Sequence, residues 1–317
     1  MKNNILVIKH GAFGDVILAG AAMEAIRSYH KNDYIICLTT KAFKSILKES
    51  PWFDMVVLDA KPKWYNIKGW KSLKSFFGKY KFKKVYDLQT SYRSNLYFFI
   101  FFYFKNIEWC GIAYGSSQRH NNPKRKLMHT IDRQKDQLKV AKIEYKHLPN
   151  WRWLRNNYEN KSLIPNNKFI ILVTGAAKHR LNKKWAQSSY ASLIERFSKI
   201  GMQSILIGGE DEFDNIVNII SLVDKKTKIQ PLNYAGRTEY KDIVYLSSYA
   251  KYAIGNDTGP IHLIATSGLY TIVLFGSASN PDLCAPKGKE VTILNRESIR
   301  DISVDLVLKT INNIGID

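Results

Sequence analysis

Asp257, Thr258, Gly259 and His262 stand within nine residues of one another in Gly255-Asn256-Asp257-Thr258-Gly259-Pro260-Ile261-His262-Leu263. A carboxylate, a hydroxyl and an imidazole at such a turn suit a polar ligand, and the turn has the right neighbours. An apolar run from Tyr252 precedes it, a helical pattern follows, and a second apolar run, Thr271 to Phe275, closes the unit. Strand, turn, helix, strand is the βαβ pattern of a parallel sheet. The turn therefore sits at a strand's carboxyl end and a helix's amino end, where unpaired N–H groups and the helix dipole favour an anion. Asp257 and Thr258 have the right types to cap that helix, and Gly259 lets a ligand approach the backbone. An ordinary capped connection would carry the same residues. The density of polar groups at one strand end favours a ligand site, because open α/β sheets bind there.

Asp15 is the second candidate. It closes His10-Gly11-Ala12-Phe13-Gly14-Asp15, between the strand-like run Ile5-Leu6-Val7-Ile8 and a helical pattern carrying Val16, Ala19, Met23 and Ile26. It reads either as a helix cap or as a carboxylate displayed at the sheet edge and able to act as a base. The turn is not G-x-G-x-x-G, and no acid closes the next strand candidate, Tyr34 to Leu38. A nicotinamide dehydrogenase is a poor fit.

The elements around these residues alternate through the chain. Strand candidates end at residues 58, 88, 173, 207, 255 and 275, each followed by a polar turn. With 317 residues, two domains are expected, and Pro149 and Pro165 bracket the polar stretch between them. The expected division is 1–160 and 161–317, with the last twenty residues helical and able to pack back on the first domain. The net charge of +21 points to an anionic partner, whether nucleic acid, membrane surface or phosphorylated substrate, or simply to a lysine-rich proteome. Residues 61–84 hold nine lysines, seven aromatics and no acid. That composition suits an anionic headgroup surface, single-stranded nucleic acid, or a solvated helix with its rings turned to the core. Cys37, Cys110 and Cys284 have no metal-like spacing and suggest a reducing compartment. The longest apolar run, Leu96 to Phe104, has nine residues and reads as a buried helix, since a spanning helix needs about 20. A cytoplasmic or peripheral protein is expected.

Four loops taken together resemble a known family. Gly11-Ala12-Phe13-Gly14-Asp15, Lys183-Lys184-Trp185, Gly208-Gly209-Glu210 and the Asp257-Thr258-Gly259-Pro260-Ile261-His262 segment occur in the order found in the lipopolysaccharide heptosyltransferases of glycosyltransferase family 9. The last segment is the most specific. The similarity runs along essentially the whole chain and is weakest between residues 60 and 165. The resemblance implies an α/β GT-B architecture: two facing Rossmann-like domains with parallel sheets, the acceptor on the first and the nucleotide sugar on the second. It implies transfer of heptose from ADP-heptose to a lipid-linked inner-core sugar, with inversion, without metal or other cofactor, beside an anionic inner-membrane surface. It also implies the roles: Asp15 as general base, Lys183 at the leaving diphosphate, Thr174 and Gly175 near the phosphates, and Glu210 on the ribose. Asp257 would hold the donor sugar, with Thr258 and Gly259 at the phosphate end of the helix. His262 is either a phosphate contact or a residue fixing the loop. Other readings are a different nucleotide sugar on the same fold, a non-catalytic sensor of nucleotide sugars, or a basic nucleic-acid-binding protein. The last has no recognised RNA-binding signature, so no nucleic-acid partner is expected.

Overall fold

The computed structural model describes residues 2–176 and 180–313; Thr174-Gly175-Ala176-Ala177 reads from the sequence as a tight turn, and its last residue, Ala177, lies outside the described residues. The chain forms two compact units, Met1–Pro149 and Asn150–Asp317.

The first unit is built on six parallel strands: β1 (Asn4–Ile8), β2 (Tyr34–Thr39), β3 (Met55–Leu58), β4 (Lys84–Asp87), β5 (Glu108–Gly111) and β6 (Gln118–Arg119). Their order is β3-β2-β1-β4-β5-β6. β1 is a continuous apolar run because helices cover both faces of a parallel sheet, and Ile5 to Ile8 are fully buried. The chain reverses its direction of travel across the sheet between β1 and β4, where open α/β sheets form their ligand crevice. Ile8 pairs with Asp87 in register there, so the loops after both strands emerge side by side.

Below that edge lies an aromatic core. The helix Ile67–Lys79 buries Leu73 and Phe77, with the Phe77 ring 4.9 Å from Phe101 and 5.0 Å from Phe102. Its lysines at 68, 71, 74 and 79 are exposed. Most rings of residues 61–84 therefore face the core, as an amphipathic helix requires, while Trp64 and Tyr65 stay exposed. The apolar run after β4 departs from expectation. It is a helix, Tyr92–Tyr97, continued by a π-helical turn, Phe98–Phe102, and only one side of it is buried. No helix among the described residues is long and apolar enough to cross a membrane.

The second unit repeats the plan with β7 (Phe169–Val173), β8 (Gln203–Ile207), β9 (Leu232–Asn233), β10 (Ala253–Asn256), β11 (Thr271–Phe275) and β12 (Val291–Asn295). The order β12-β11-β10-β7-β8-β9 is the first sheet's order again, with β7 and β10 at the switch point. The sheet is a doubly wound parallel one, and with the first gives two Rossmann-like units. Residues 150–160 belong with this unit, so the chain divides before residue 160. Trp151 is buried, Arg152 Nε donates to Ser267 O at 2.7 Å, and Tyr158 and Asn160 both donate to the Asp242 carboxylate. The terminal helix Val304–Asn312 also belongs here: Val307 and Ile311 join the core around Trp185 and Tyr190.

Candidate active site

In the second unit the switch point is held by a residue that sequence reasoning passed over. Asn256, fully buried at the end of β10, donates from Nδ2 to Thr174 O at 2.8 Å and Gly175 O at 3.2 Å. Its Oδ1 accepts from Trp185 N at 3.2 Å and from the Tyr190 hydroxyl at 3.0 Å. One amide thereby ties the loop after β7 to the loop carrying Lys183. Trp185 completes the anchor, its indole N–H donating to Ile302 O at 2.8 Å.

Lys183 is thus aimed at Asp257. Its Nζ lies 2.5 Å from Asp257 Oδ2, which also accepts from Ser279 Oγ at 2.9 Å, and His262 Nε2 lies 3.2 Å from Asp257 Oδ1. Burial alone would raise the Asp257 carboxyl. Hydrogen bonds and charge from His262 and Lys183 outweigh it and hold the group down at about 2. His262 Nδ1 is buried with no hydrogen-bond partner among the described residues.

Thr258 is the N-cap residue of the helix Gly259–Ser267, but neither it nor Asp257 caps that helix with its side chain. Asp257 is drawn to the cations, and the Thr258 hydroxyl donates weakly back to Asn256 O at 3.4 Å. Among the described residues no side chain caps the amino end of the helix at Gly259, the state an anion requires.

Thr174 and Gly175 are both buried at this edge. The Thr174 hydroxyl accepts from Asn215 Nδ2 at 3.3 Å. A side chain at Gly175 would meet Glu212 Cδ and Cγ at 2.9 Å. Glu212 also accepts from Ala176 N at 3.3 Å and from Lys184 Nζ at 3.1 Å. Glu212, two residues beyond Glu210, is therefore the carboxylate that clamps the loop after β7. Glu210 stands exposed at the end of β8, beside the Gly236 turn, where only a residue lacking a side chain fits against its Cγ.

In the first unit Asp15 is the third residue of the helix Phe13–Leu18. Ala12, at the N-cap, offers no acceptor, and Asp15 Oδ2 reaches back to Ala12 N at 3.2 Å. The capping role is present, and Asp15 stays half-buried in the loop after β1. Gly11, at φ 132°, makes the turn, and a side chain there would strike the Phe43 ring at 2.6 Å.

Around Asp15 the same edge gathers cations, among them Arg125 of the basic stretch Arg119 to His129, which by sequence reads as an acceptor-side loop or a solvated one. Lys9 is buried, its Nζ donating to Leu88 O at 3.4 Å. Burial lowers its pKa, Arg133 and Arg125 act in the same direction, and Asp15 and Asp87 partly restore it. Arg125 turns inward from its basic loop to Thr90 Oγ1 at 2.8 Å, and burial brings its guanidinium down to about 10. Its Nη1 is buried without a hydrogen-bond partner among the described residues. Asp87 is fully buried at the end of β4, raised by burial, and accepts from Thr90 N at 2.8 Å and Gln89 N at 3.1 Å. The sequence signal for Lys9 and Asp87 was their place at the ends of β1 and β4; that for Arg125 was the basic run Lys124-Arg125-Lys126. Among the described residues no group of three or more His, Cys, Asp or Glu side chains has a metal-holding arrangement.

Comparison with known proteins follows this geometry. Residues 70–304 match the family model "Glycosyltransferase family 9 (heptosyltransferase)". A lipooligosaccharide heptosyltransferase 2 of Campylobacter jejuni is 21% identical over 266 residues, 83% of this chain and 78% of that protein. A lipopolysaccharide core heptosyltransferase of Haemophilus influenzae is 21% identical over 296 residues, 89% of this chain and 81% of its own length. Among solved structures, the Escherichia coli ADP-heptose lipopolysaccharide heptosyltransferase II superposes with a TM-score of 0.78 at 19% identity, covering 99% of this chain and 98% of that one. An E. coli heptosyltransferase solved with ADP gives 0.75 at 15% identity, covering 98% and 99%. The two Rossmann-like units thus have the GT-B-like fold of those enzymes.

Proposed function

We propose that this chain, which belongs to glycosyltransferase family 9 (the heptosyltransferases), transfers heptose from ADP-heptose to a lipid-linked inner-core sugar with inversion at the anomeric carbon. The observation that carries the reading is the Lys183–Asp257–His262 network beside an uncapped helix amino end. It offers fixed positive charge for a diphosphate and a carboxylate for sugar hydroxyls in one place.

The chemistry assigns each group a task. The acceptor hydroxyl oxygen bonds to the anomeric carbon as the bond from that carbon to the diphosphate oxygen breaks. Negative charge grows on the departing ADP. Lys183 and the N–H groups at Gly259 stabilise it, worth roughly 3–4 kcal/mol for a well-aimed donor in a desolvated site. These groups supply what a divalent cation would otherwise supply, so no metal is invoked. Asp257 orients the donor sugar through its hydroxyls, Glu210 accepts from the ribose, and the backbone at Thr174 and Gly175 borders the phosphates. His262 holds the Asp257 carboxylate in place. Asp15 takes the acceptor proton; general-base catalysis of this kind contributes about 10²–10⁴-fold. Lys9, Arg125 and Arg133 favour an acidic acceptor at the first unit's edge. The lipid of such an acceptor brings the reaction to a membrane surface.

Asp15→Asn tests the assignment. Turnover is expected to fall by about 10²–10⁴-fold while ADP still raises the melting temperature as in the wild type. An unchanged rate removes Asp15 from the proton transfer.

A further inference from the structure

The helix Tyr92–Tyr97 and its π-helical extension Phe98–Phe102 bury one side and leave the other bare. Tyr97, Phe98, Phe101 and Phe102 face the core. On the outer side Tyr92 is 85% exposed, Phe99 44%, Ile100 53%, Tyr103 48% and Phe104 95%. Leu96, half-buried, continues the row between them. The spacing makes a single apolar stripe along the whole element. Soluble surfaces seldom carry so many large rings in one row.

The adjoining helix Ile67–Lys79 explains what the stripe is for. It packs alongside, with Trp70 6.2 Å from both Tyr97 and Phe101, and presents Lys68, Lys71, Lys74 and Lys79 outward. From Lys61 to Ile107 the only acid in the sequence is Asp87, and that residue is fully buried. These two helices therefore expose rings and cations and carry no carboxylate of their own.

We propose that this face docks on an anionic phospholipid bilayer, the Phe99–Phe104 stripe entering the headgroup boundary and the neighbouring lysines resting on the phosphates. Charge selects this occupant. A second copy of the chain would set one lysine row against another, whereas an anionic bilayer complements both features. The stripe begins at Tyr92, two residues from Thr90, which accepts a hydrogen bond from Arg125 at the cationic sheet edge. Docking in this way holds that edge beside lipid headgroups. The inference rests on the reading of a lipid-linked acceptor and identifies the surface through which such an acceptor is reached.

Flotation of the full chain tests it, using vesicles of phosphatidylcholine alone and of equimolar phosphatidylcholine and phosphatidylglycerol. The wild type is expected to float with the mixed vesicles at low salt, to leave the neutral ones largely unbound, and to be released by high salt. Ile100→Ser with Phe104→Ser is expected to weaken the partition by about ten-fold or more. Lys71→Glu with Lys74→Glu is expected to weaken it by at least about 20-fold. An unchanged ADP-induced melting shift shows that each variant is folded. Equal flotation on both vesicle types, variants that float like the wild type, or no flotation at all overturns the inference. So does a dimer abolished by Ile100→Ser with Phe104→Ser, which would make the face a contact between copies. Transfer to a delipidated soluble acceptor by a protein that does not float removes the docking surface alone. Flotation without any response to ADP keeps the surface and removes the donor reading.

Discussion

Replacing Asp257 by Asn removes the charge that Lys183 and His262 enclose while keeping an oxygen acceptor and nearly the same shape. The carboxyl is held at about 2 against an ordinary 3.8. At about 1.36 kcal/mol per pKa unit, the charged form stabilises the fold by about 2 kcal/mol at neutral pH. Because the folded value is depressed, that contribution is complete above the unfolded pKa near 4 and disappears as pH falls through 4 toward 2. Native-state hydrogen exchange reads it locally. At pH 7 the amides of β7 and β10 that open with the second unit should exchange roughly 30-fold faster in Asp257→Asn than in the wild type. The ratio should narrow as the pH is lowered from about 4 toward 3. Binding provides a second readout. Loss of a carboxylate beside the proposed diphosphate site should leave ADP affinity equal or higher, while turnover falls because the sugar loses its anchor. Equal exchange in the two proteins at pH 7, or a ratio that does not change with acidification, would refute the electrostatic reasoning. Markedly weaker ADP binding would refute the placement of the diphosphate.

Three other substitutions separate the parts of the site. Lys183→Met should reduce turnover by about 10²–10³-fold and weaken ADP binding, measured by titration calorimetry. Asn256→Ala leaves Thr174 O, Gly175 O and Trp185 N without their partner; it should cost about 3 kcal/mol of stability, seen in denaturant unfolding of the second unit. Arg125→Gln should raise the acceptor KM while the ADP melting shift stays as in the wild type, because Arg125 sits in the first unit.

Much of the site was legible because it lies where parallel sheets put their loops. The strand before Asp257 and the helix after it showed as a change of hydrophobic period, and the turn between them carried the polar groups. The pairing of Lys183 with Asp257 could not be read, since the two are 74 residues apart and meet only because β7 and β10 are neighbours. Asn256 looked like one more turn residue, yet it makes the bonds that join the two loops. Glu210 and Glu212 are alike in sequence; only the single helical turn after β8 decides that Glu212 faces Gly175 and Lys184. The expected cap at Thr258 failed because a buried ion pair captured Asp257 and the Thr258 hydroxyl found a carbonyl. The apolar run from Leu96 misled for a different reason. Composition counts its rings, but only the helix that carries them divides inner from outer.

The direct test of the central claim is transfer itself, measured in EDTA as ADP released and as mass gained by a lipid-linked inner-core acceptor, with ADP-heptose, UDP-sugar and GDP-sugar donors compared. Transfer of one heptose from ADP-heptose, with stoichiometric ADP and inverted anomeric configuration, is the expected result. Turnover only with a UDP- or GDP-sugar, or turnover that requires a divalent cation, would contradict it.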